Sequence, residues 1–152
     1  MKEVYDELDR HLAEDADIAR ASVPMGMLLA WCARHHLVSD AVSHEHEGLL
    51  LRLRVEEARG SELLAACGGN LRKDMFNAAG QAFLDRYYPR YMEDFTACFG
   101  GEPYRVEDNW RNYGEIARVI SRAYHNRPGK APLVERLKRG WRRAFEARGK
   151  DT

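Results

Sequence analysis

The stretch VPMGMLLAWCA (Val23–Ala33) is the longest nearly uninterrupted apolar run in this chain. Its 11 residues are too few to span a bilayer, which takes about 20 residues in a helix. A helix that is apolar on every side belongs in the middle of a fold. Ser22 is a suitable N-cap for it, and Pro24 would then fall in the first turn, where its missing N–H costs no hydrogen bond. The stretch therefore predicts a central helix that ends at His35-His36.

The segments on either side also carry helical signals. Val4, Leu8 and Leu12 recur every four residues, which predicts a first amphipathic helix with an acidic outer face. Capping and turn residues predict the remaining boundaries: Ser39 as an N-cap, Gly68-Gly69 closing a short helix over Ser61–Cys67, Asp74 or Asn77 starting the longest helix, and Asp108 capping the helix after the Gly100-Gly101 break. Tyr104-Arg105-Val106 is the one stretch that resembles a strand. The predicted fold is all-α, a single-domain bundle of about six or seven helices with the long helix kinked near Pro89.

The charges of the chain balance, but they are unevenly distributed. The 152 residues contain 24 basic and 24 acidic side chains, and residues 1–20 carry −4, residues 21–126 carry −2 and residues 127–152 carry +6. We predict a helical domain over residues 1–126, a Pro-Gly linker over 127–132 and a basic helix over 133–149 that packs on the same domain.

The start of the chain and its cysteines bear on the cellular compartment. The sequence MKEVYDE has no apolar signal-peptide core. Cys32, Cys67 and Cys98 are odd in number and have apolar neighbours, which is typical of reduced thiols rather than of a disulfide framework. We therefore expect a cytoplasmic protein.

Histidines and one cysteine form two candidate reaction sites. His44 and Glu47 can share a helix face, but a metal site needs a third ligand, which only folding could bring from His11 or the His35-His36 pair. Cys32 lies one helical turn before that pair, yet a thiol in the most apolar helix would have a raised pKa and be inert. We expect no metal, no cofactor and no catalytic residue.

The sequence around Pro89 is rich in tyrosine and arginine. Aromatic residues that recur every four positions are typical of a core-facing helix row, whereas exposed tyrosine and arginine are enriched at interfaces. We predict that Tyr87 and Tyr91 lie in the core and that Tyr88 and Arg90 lie nearer to solvent.

Three stretches together resemble a small bacterial all-helical domain family of unknown function. They are GMLLAW (Gly26–Trp31), RYYPRYMEDF (Arg86–Phe95) and VEDNWRNY (Val106–Tyr113). The resemblance covers about residues 20–125, and the basic C-terminal segment lies outside it. The chain departs from the family pattern by having Asn109 where threonine is common and Phe95 in place of a tyrosine. The resemblance implies no activity, although small proteins of this type are associated with immunity to bacterial toxins.

We expect a non-enzymatic, cytoplasmic binding protein, and most concretely an immunity protein that covers the active site of a bacterial toxin. An acidic surface can occupy the basic cleft of a toxin that binds nucleic acid. The predicted partner contacts are Glu14, Asp15, Asp17, Tyr88 and Arg90. The alternative is a nucleic-acid-binding protein that uses the basic residues Arg136, Lys138, Arg139, Arg142 and Arg143. Neither hypothesis involves a membrane.

Overall fold

A computed structural model describes residues 3–12 and 17–126 of the chain. Within these ranges the fold is mainly helical, with one small antiparallel sheet. The elements are β1 (Val4–Glu7), α1 (Leu8–Leu12), α2 (Ile18–Arg34), α3 (Asp40–Glu45), α4 (Glu47–Arg54), α5 (Gly60–Ala66), β2 (Asn70–Arg72), α6 (Ala78–Cys98) and α7 (Trp110–His125), with 3-10 helices at Lys73–Met75 and Pro103–Arg105. The helical class predicted from the sequence is confirmed, although the fold is not purely all-α.

Helix α2 is the centre of the fold, as its composition predicts. Every residue from Ala21 to Ala33 is buried. The predicted start was wrong: the N-cap is Asp17, whose carboxylate accepts the Arg20 N–H at 2.7 Å. The Ser22 hydroxyl instead donates to the carbonyl of Ala19. Pro24 consequently lies inside the helix. Because proline has no backbone N–H, it cannot donate the helical hydrogen bond to the carbonyl of Arg20.

The N-terminal segment is not the amphipathic helix that its periodicity predicts. Residues Val4–Glu7 form β1, which pairs antiparallel with β2, and only Leu8–Leu12 is helical. The apolar spacing of Val4, Leu8 and Leu12 fits either one long helix or a strand followed by one helical turn. The strand forms because β2 supplies hydrogen-bond partners for its backbone. The register shifts between Val4 and Asp6, and such a bulge redirects a side chain. Asp6 is the buried residue of the strand.

Several predicted helix boundaries are confirmed. Ser39 caps α3 through its bond from the Val42 N–H, and Asn77 caps α6 through its bond from the Gly80 N–H. Gly68 and Gly69 follow α5 with φ of 90° and 80°, the left-handed conformation that ends many helices. These caps depend on neighbours in the sequence, which is why the pattern predicts them.

Other boundaries differ from prediction. The segment after Ser39 is two helices that meet at His46 rather than one. Tyr104 belongs to a 3-10 helix and not to a strand. Asn109, not Asp108, accepts the N–H of Asn112 (2.8 Å) at the start of α7. Asp108 instead accepts a hydrogen bond from Ser61 Oγ at 2.5 Å, a contact between segments distant in sequence.

Helix α6 continues past Pro89 as one helix, and the kink there stays a prediction. Its row of buried aromatics faces the core, and Tyr91 Oη donates to the carbonyl of Pro24 at 2.5 Å. The buried positions include Tyr87 and Tyr91, whereas Arg90 is exposed and Tyr88 is half-buried, as predicted.

One compact unit of the fold ends at Ile120, within α7. The domain boundaries predicted from the sequence stay a prediction, and the linker (127–132) and basic helix (133–149) lie outside the described residues. Among the described helices, none has the length and hydropathy to cross a membrane.

Candidate functional site

A buried carboxylate and a buried imidazole lie side by side near the start of the chain. The bulge in β1 turns Asp6 inward, and α1 places His11 five residues later on the same side. Asp6 is 5% exposed and His11 is 7% exposed. Asp6 Oδ2 lies 2.6 Å from His11 Nε2, a distance typical of a charge-assisted hydrogen bond.

Asp6 receives two further hydrogen bonds. Tyr88 on α6 donates its hydroxyl to Oδ2, and the N–H of Glu7 donates to Oδ1 at 2.8 Å. Burial alone would raise the pKa of Asp6, but the bonds from His11 and Tyr88 outweigh it and hold the pKa of this carboxyl below its usual value. Asp6 is therefore ionised at neutral pH.

The charge on Asp6 determines the hydrogen-bonding role of His11 Nε2. An ionised carboxylate only accepts, so His11 Nε2 carries a proton and donates it to Asp6. His11 Nδ1 lies 2.5 Å from Tyr104 Oη. In the neutral imidazole Nδ1 is the acceptor, and Tyr104 donates to it. We call Asp6, His11, Tyr88 and Tyr104 the Asp6 cluster.

Tyr104 also lines an open cleft of about 550 Å³. The walls come from α2, which supplies Ala19, Arg20 and Val23, and from residues 104–108. We call this space the Tyr104 cleft. Its charged lining residues are Arg20, Arg105, Glu107 and Asp108, and Tyr104 belongs both to this cleft and to the Asp6 cluster.

The arginines of the Tyr104 cleft are held loosely. Arg20 Nε lies 4.0 Å from Asp17 Oδ2, and Arg105 Nε lies 3.9 Å from Glu102 Oε2. All four side chains are mostly exposed, and exposed pairs at such distances contribute little energy. Both guanidinium groups can therefore turn toward a ligand at small cost.

The predicted partner contacts have different environments. Asp17 caps α2 with a side chain that is 67% exposed, and Arg90 is exposed on α6. Tyr88 is different because its hydroxyl is bonded to Asp6, and burial, followed by the charge of Asp6, raises its pKa. Glu14 and Asp15 lie outside the described residues.

The alternative anion-binding set also falls outside the described residues. It comprises Arg136, Lys138, Arg139, Arg142 and Arg143, all beyond residue 126.

The cysteine and histidine candidates of the sequence do not assemble into a site. Cys32 is fully buried, and burial raises its pKa. His35 Nδ1 lies 2.8 Å from the carbonyl of Trp31, and its ring stacks on that indole. Across residues 3–12 and 17–126, no three His, Cys, Asp or Glu side chains are placed to hold a metal ion.

Sequence reasoning missed the Asp6 cluster. It placed His11 only as a distant metal-ligand candidate and found no acid, base and nucleophile together. Tyr88 and Tyr104 are 82 and 93 residues from their partners Asp6 and His11, so no local spacing reports these contacts. The one local signal is the Asp6–His11 separation of five residues, which unites the two side chains only when a strand bulge precedes the helix.

The fold and this site together define a mainly helical domain with a buried acid–imidazole–tyrosine cluster beside an open cleft. The chain belongs to the family described as Domain of unknown function (DUF7832), which matches residues 4–107. The family resemblance predicted from the motifs is thereby confirmed, and the match contains the whole Asp6 cluster. No curated protein and no solved structure matches the chain.

Proposed function

We propose that this domain is a bacterial binding protein of the cytoplasm, and specifically an immunity protein that neutralises a toxin by direct contact. The observation that carries the proposal is the surface at the start of α2. There Ile18 is 64% exposed directly after the exposed acidic Asp17, and Arg20 one turn on lines the Tyr104 cleft.

A rigid helix end is a suitable base for such a surface. The Asp17 cap and the wholly buried stretch that follows fix the direction of α2, so Ile18 is presented without a large loss of conformational entropy on binding. An apolar side chain with charged neighbours beside a concave surface is a common arrangement for an interface anchor.

Charge supports the choice of partner. Residues 1–20 carry a net charge of −4, and Asp17 displays one of these charges at the surface. A toxin that acts on nucleic acid has a basic cleft, to which an acidic surface is complementary. Glu14 and Asp15, which lie outside the described residues, are further predicted acidic contacts, and Arg90 would add a contact from α6, with Tyr88 contributing its ring.

The test is binding to the product of the adjacent gene, measured by co-purification and titration. Asp17→Asn keeps an oxygen that can cap α2 and removes the charge, and Ile18→Ser removes the apolar anchor. We expect each to weaken binding at least about tenfold, which is about 1.4 kcal/mol. Leu51→Ser is the matched control, because Leu51 on α4 is 55% exposed and remote in sequence from this surface.

Two outcomes would contradict the proposal. One is a neighbouring gene product that is neither toxic nor bound. The other is equal affinity for the Ile18→Ser and Leu51→Ser proteins, which would mean that the start of α2 does not contact the partner.

The second candidate, nucleic-acid binding, is supported by the net charge of +6 in residues 127–152. Its affinity would fall steeply with salt, because each phosphate contact releases counterions. Removing residues 128–152 without loss of affinity for DNA or RNA would eliminate this segment as the binding site.

A further inference from the structure

The Tyr104 hydroxyl is hydrogen-bonded to the imidazole of His11, which is itself hydrogen-bonded to the carboxylate of Asp6. Tyr104 Oη lies 2.5 Å from His11 Nδ1, and His11 Nε2 lies 2.6 Å from Asp6 Oδ2. An activated hydroxyl needs a base within hydrogen-bond reach and a third group that fixes the tautomer of the base. The Asp6 cluster provides these parts in the required order.

Tyr88 completes the arrangement from the other side of Asp6. Its hydroxyl and the Glu7 N–H both donate to Asp6, so three groups hold the carboxylate in place, and a His11 ring that donates from Nε2 to Asp6 presents Nδ1 to Tyr104. An imidazolium formed at His11 would meet this charge at once. Electrostatic stabilisation of that kind is preorganised, because Asp6 and His11 are buried.

The other tyrosines near Asp6 differ in the group to which they donate. Tyr5 Oη donates to Asp85 Oδ1 at 2.7 Å, and burial together with this carboxylate raises its pKa. Tyr88 likewise donates to a carboxylate. A carboxylate is a weak base near neutral pH and opposes formation of a nearby phenolate, whereas a neutral imidazole can take the proton.

The lining of the Tyr104 cleft indicates which ligand fits. Arg20 and Arg105 line it together with Tyr104, and their exposed ion pairs are weak. The acidic lining residues Glu107 and Asp108 accept hydrogen bonds from Asn109 Nδ2 and Ser61 Oγ and keep their charge, so the lining is balanced overall and the guanidinium groups are its charged donors. Two loosely paired guanidinium groups can bind a carboxylate or phosphate group of a ligand.

We propose that Tyr104 is a nucleophile activated by His11 and Asp6, and that the Tyr104 cleft takes a small, negatively charged ester. In the reaction Tyr104 Oη forms a bond to the electrophilic carbon or phosphorus, and the bond to the leaving group breaks. The phenolic proton passes to His11 Nδ1 and from there to the leaving group. This activity goes beyond partner binding, and its test needs no partner.

Aryl sulfonyl fluorides test the hydroxyl directly. Tyr104 Oη would form a bond to sulfur, the S–F bond would break, and the proton would leave with fluoride through His11. The probes are 4-(fluorosulfonyl)benzoate and uncharged benzenesulfonyl fluoride, used on the full-length protein, with the modified residue located by peptide mass mapping. We expect Tyr104 to be labelled at least about tenfold faster than Tyr5 of the same molecule.

The pH profile separates an activated tyrosine from a merely structural one. The titratable groups that meet around His11 are Asp6 from β1, Tyr88 from α6 and Tyr104 itself. With a base in contact, the labelling rate should level off well below pH 10. An unassisted phenol would instead gain about tenfold per pH unit up to its usual pKa of about 10.

Variants assign the roles. Asp6→Asn and His11→Gln should each slow labelling of Tyr104 about tenfold or more and leave Tyr5 unchanged, while Tyr104→Phe should abolish the label. Arg20→Ala or Arg105→Ala should remove the preference for the carboxylate probe, which we expect to be at least about threefold in the native protein.

The labelling rates of Tyr104 and Tyr5 are compared within the protein that carries no substitution, so this comparison holds even where a variant fails to fold. Labelling of Tyr104 at the Tyr5 rate, or a rate that rises without a plateau, would overturn the activation by His11. Equal rates for the two probes would overturn the assignment of a negatively charged ligand.

Discussion

Gly26 on α2 and Gly60 at the start of α5 meet backbone to backbone. A Cβ atom built on Gly60 would lie 1.8 Å from the carbonyl oxygen of Gly26, and one built on Gly26 would lie 2.6 Å from the amide nitrogen of Ser61. The contact requires glycine at both positions because any side chain would occupy the space of the opposite backbone. It sets how closely α5 packs against the central helix.

Gly60→Ala should destabilise the fold by about 1–3 kcal/mol, the usual cost of inserting atoms into a packed interface. The matched control is Gly48→Ala on α4, where a Cβ would meet nothing within 4 Å and the better helix propensity of alanine should leave stability unchanged or raise it by up to about 1 kcal/mol. Chemical denaturation gives both free energies of unfolding. Equal stabilities of the two variants would show that α2 and α5 are not this close.

The pH dependence of stability should depend on Asp6. Its pKa in the folded protein lies below the ordinary 3.8, so the unfolded chain binds the proton more readily. The resulting stabilisation is fully present above pH 3.8 and is lost as the pH falls from there through the lower folded value. Asp6→Asn has no such proton to bind, and its unfolding free energy should fall less steeply between pH 5.5 and 2.5. Parallel profiles for the two proteins would contradict the bonding of an ionised Asp6 to His11 and Tyr88.

Tyr91→Phe should cost about 1 kcal/mol, because it removes the buried hydrogen bond from Tyr91 Oη to the Pro24 carbonyl and keeps the ring. Tyr5→Phe is the control, since its hydroxyl reaches the exposed Asp85, and its effect should stay within about 0.5 kcal/mol. The measurement is the shift of the denaturation midpoint at constant slope. A loss for Tyr5→Phe as large as that for Tyr91→Phe would mean that burial of the hydroxyl is not what matters.

The three cysteines should react with iodoacetamide in a fixed order. None of the three forms a disulfide, and Cys32 and Cys67 are buried while Cys98 is partly exposed. Burial raises the pKa of the Cys32 and Cys67 thiols, which lowers their thiolate fraction. Under native conditions Cys98 should therefore be alkylated first and Cys32 last, with the order lost in denaturant. Early modification of Cys32 would show that α2 opens readily.

Helix boundaries were predictable wherever the signal is local. The Ser39 and Asn77 side chains bond to N–H groups three residues ahead, and Gly68-Gly69 adopts a backbone conformation that side chains disfavour. The same logic failed at Asp108 because Ser61, distant in sequence, takes its carboxylate. A capping residue is recognisable from sequence only when nothing remote competes for it.

The candidate site was predictable only in part. Asp17 was selected as a surface acid and is exposed, but the N-cap role that it fills on α2 was predicted for Ser22. Tyr88 was selected as a surface tyrosine, whereas its hydroxyl donates to Asp6. Both differences arise because a sequence pattern reports which face a residue occupies and not which partner it meets.

The sequence by itself determined the central helix and the caps of α3 and α6, because apolar periodicity and caps act over one or two turns of chain. Only the tertiary structure decided that Val4–Glu7 is a strand, since that strand needs β2 as its partner. The Asp6 cluster depends on the same strand. The bulge turns Asp6 toward His11, and packing of α6 and of the Pro103–Arg105 turn then brings Tyr88 and Tyr104 to them. Hydrogen bonds across more than 80 residues leave no periodicity in a sequence, because their geometry exists only after the chain has folded.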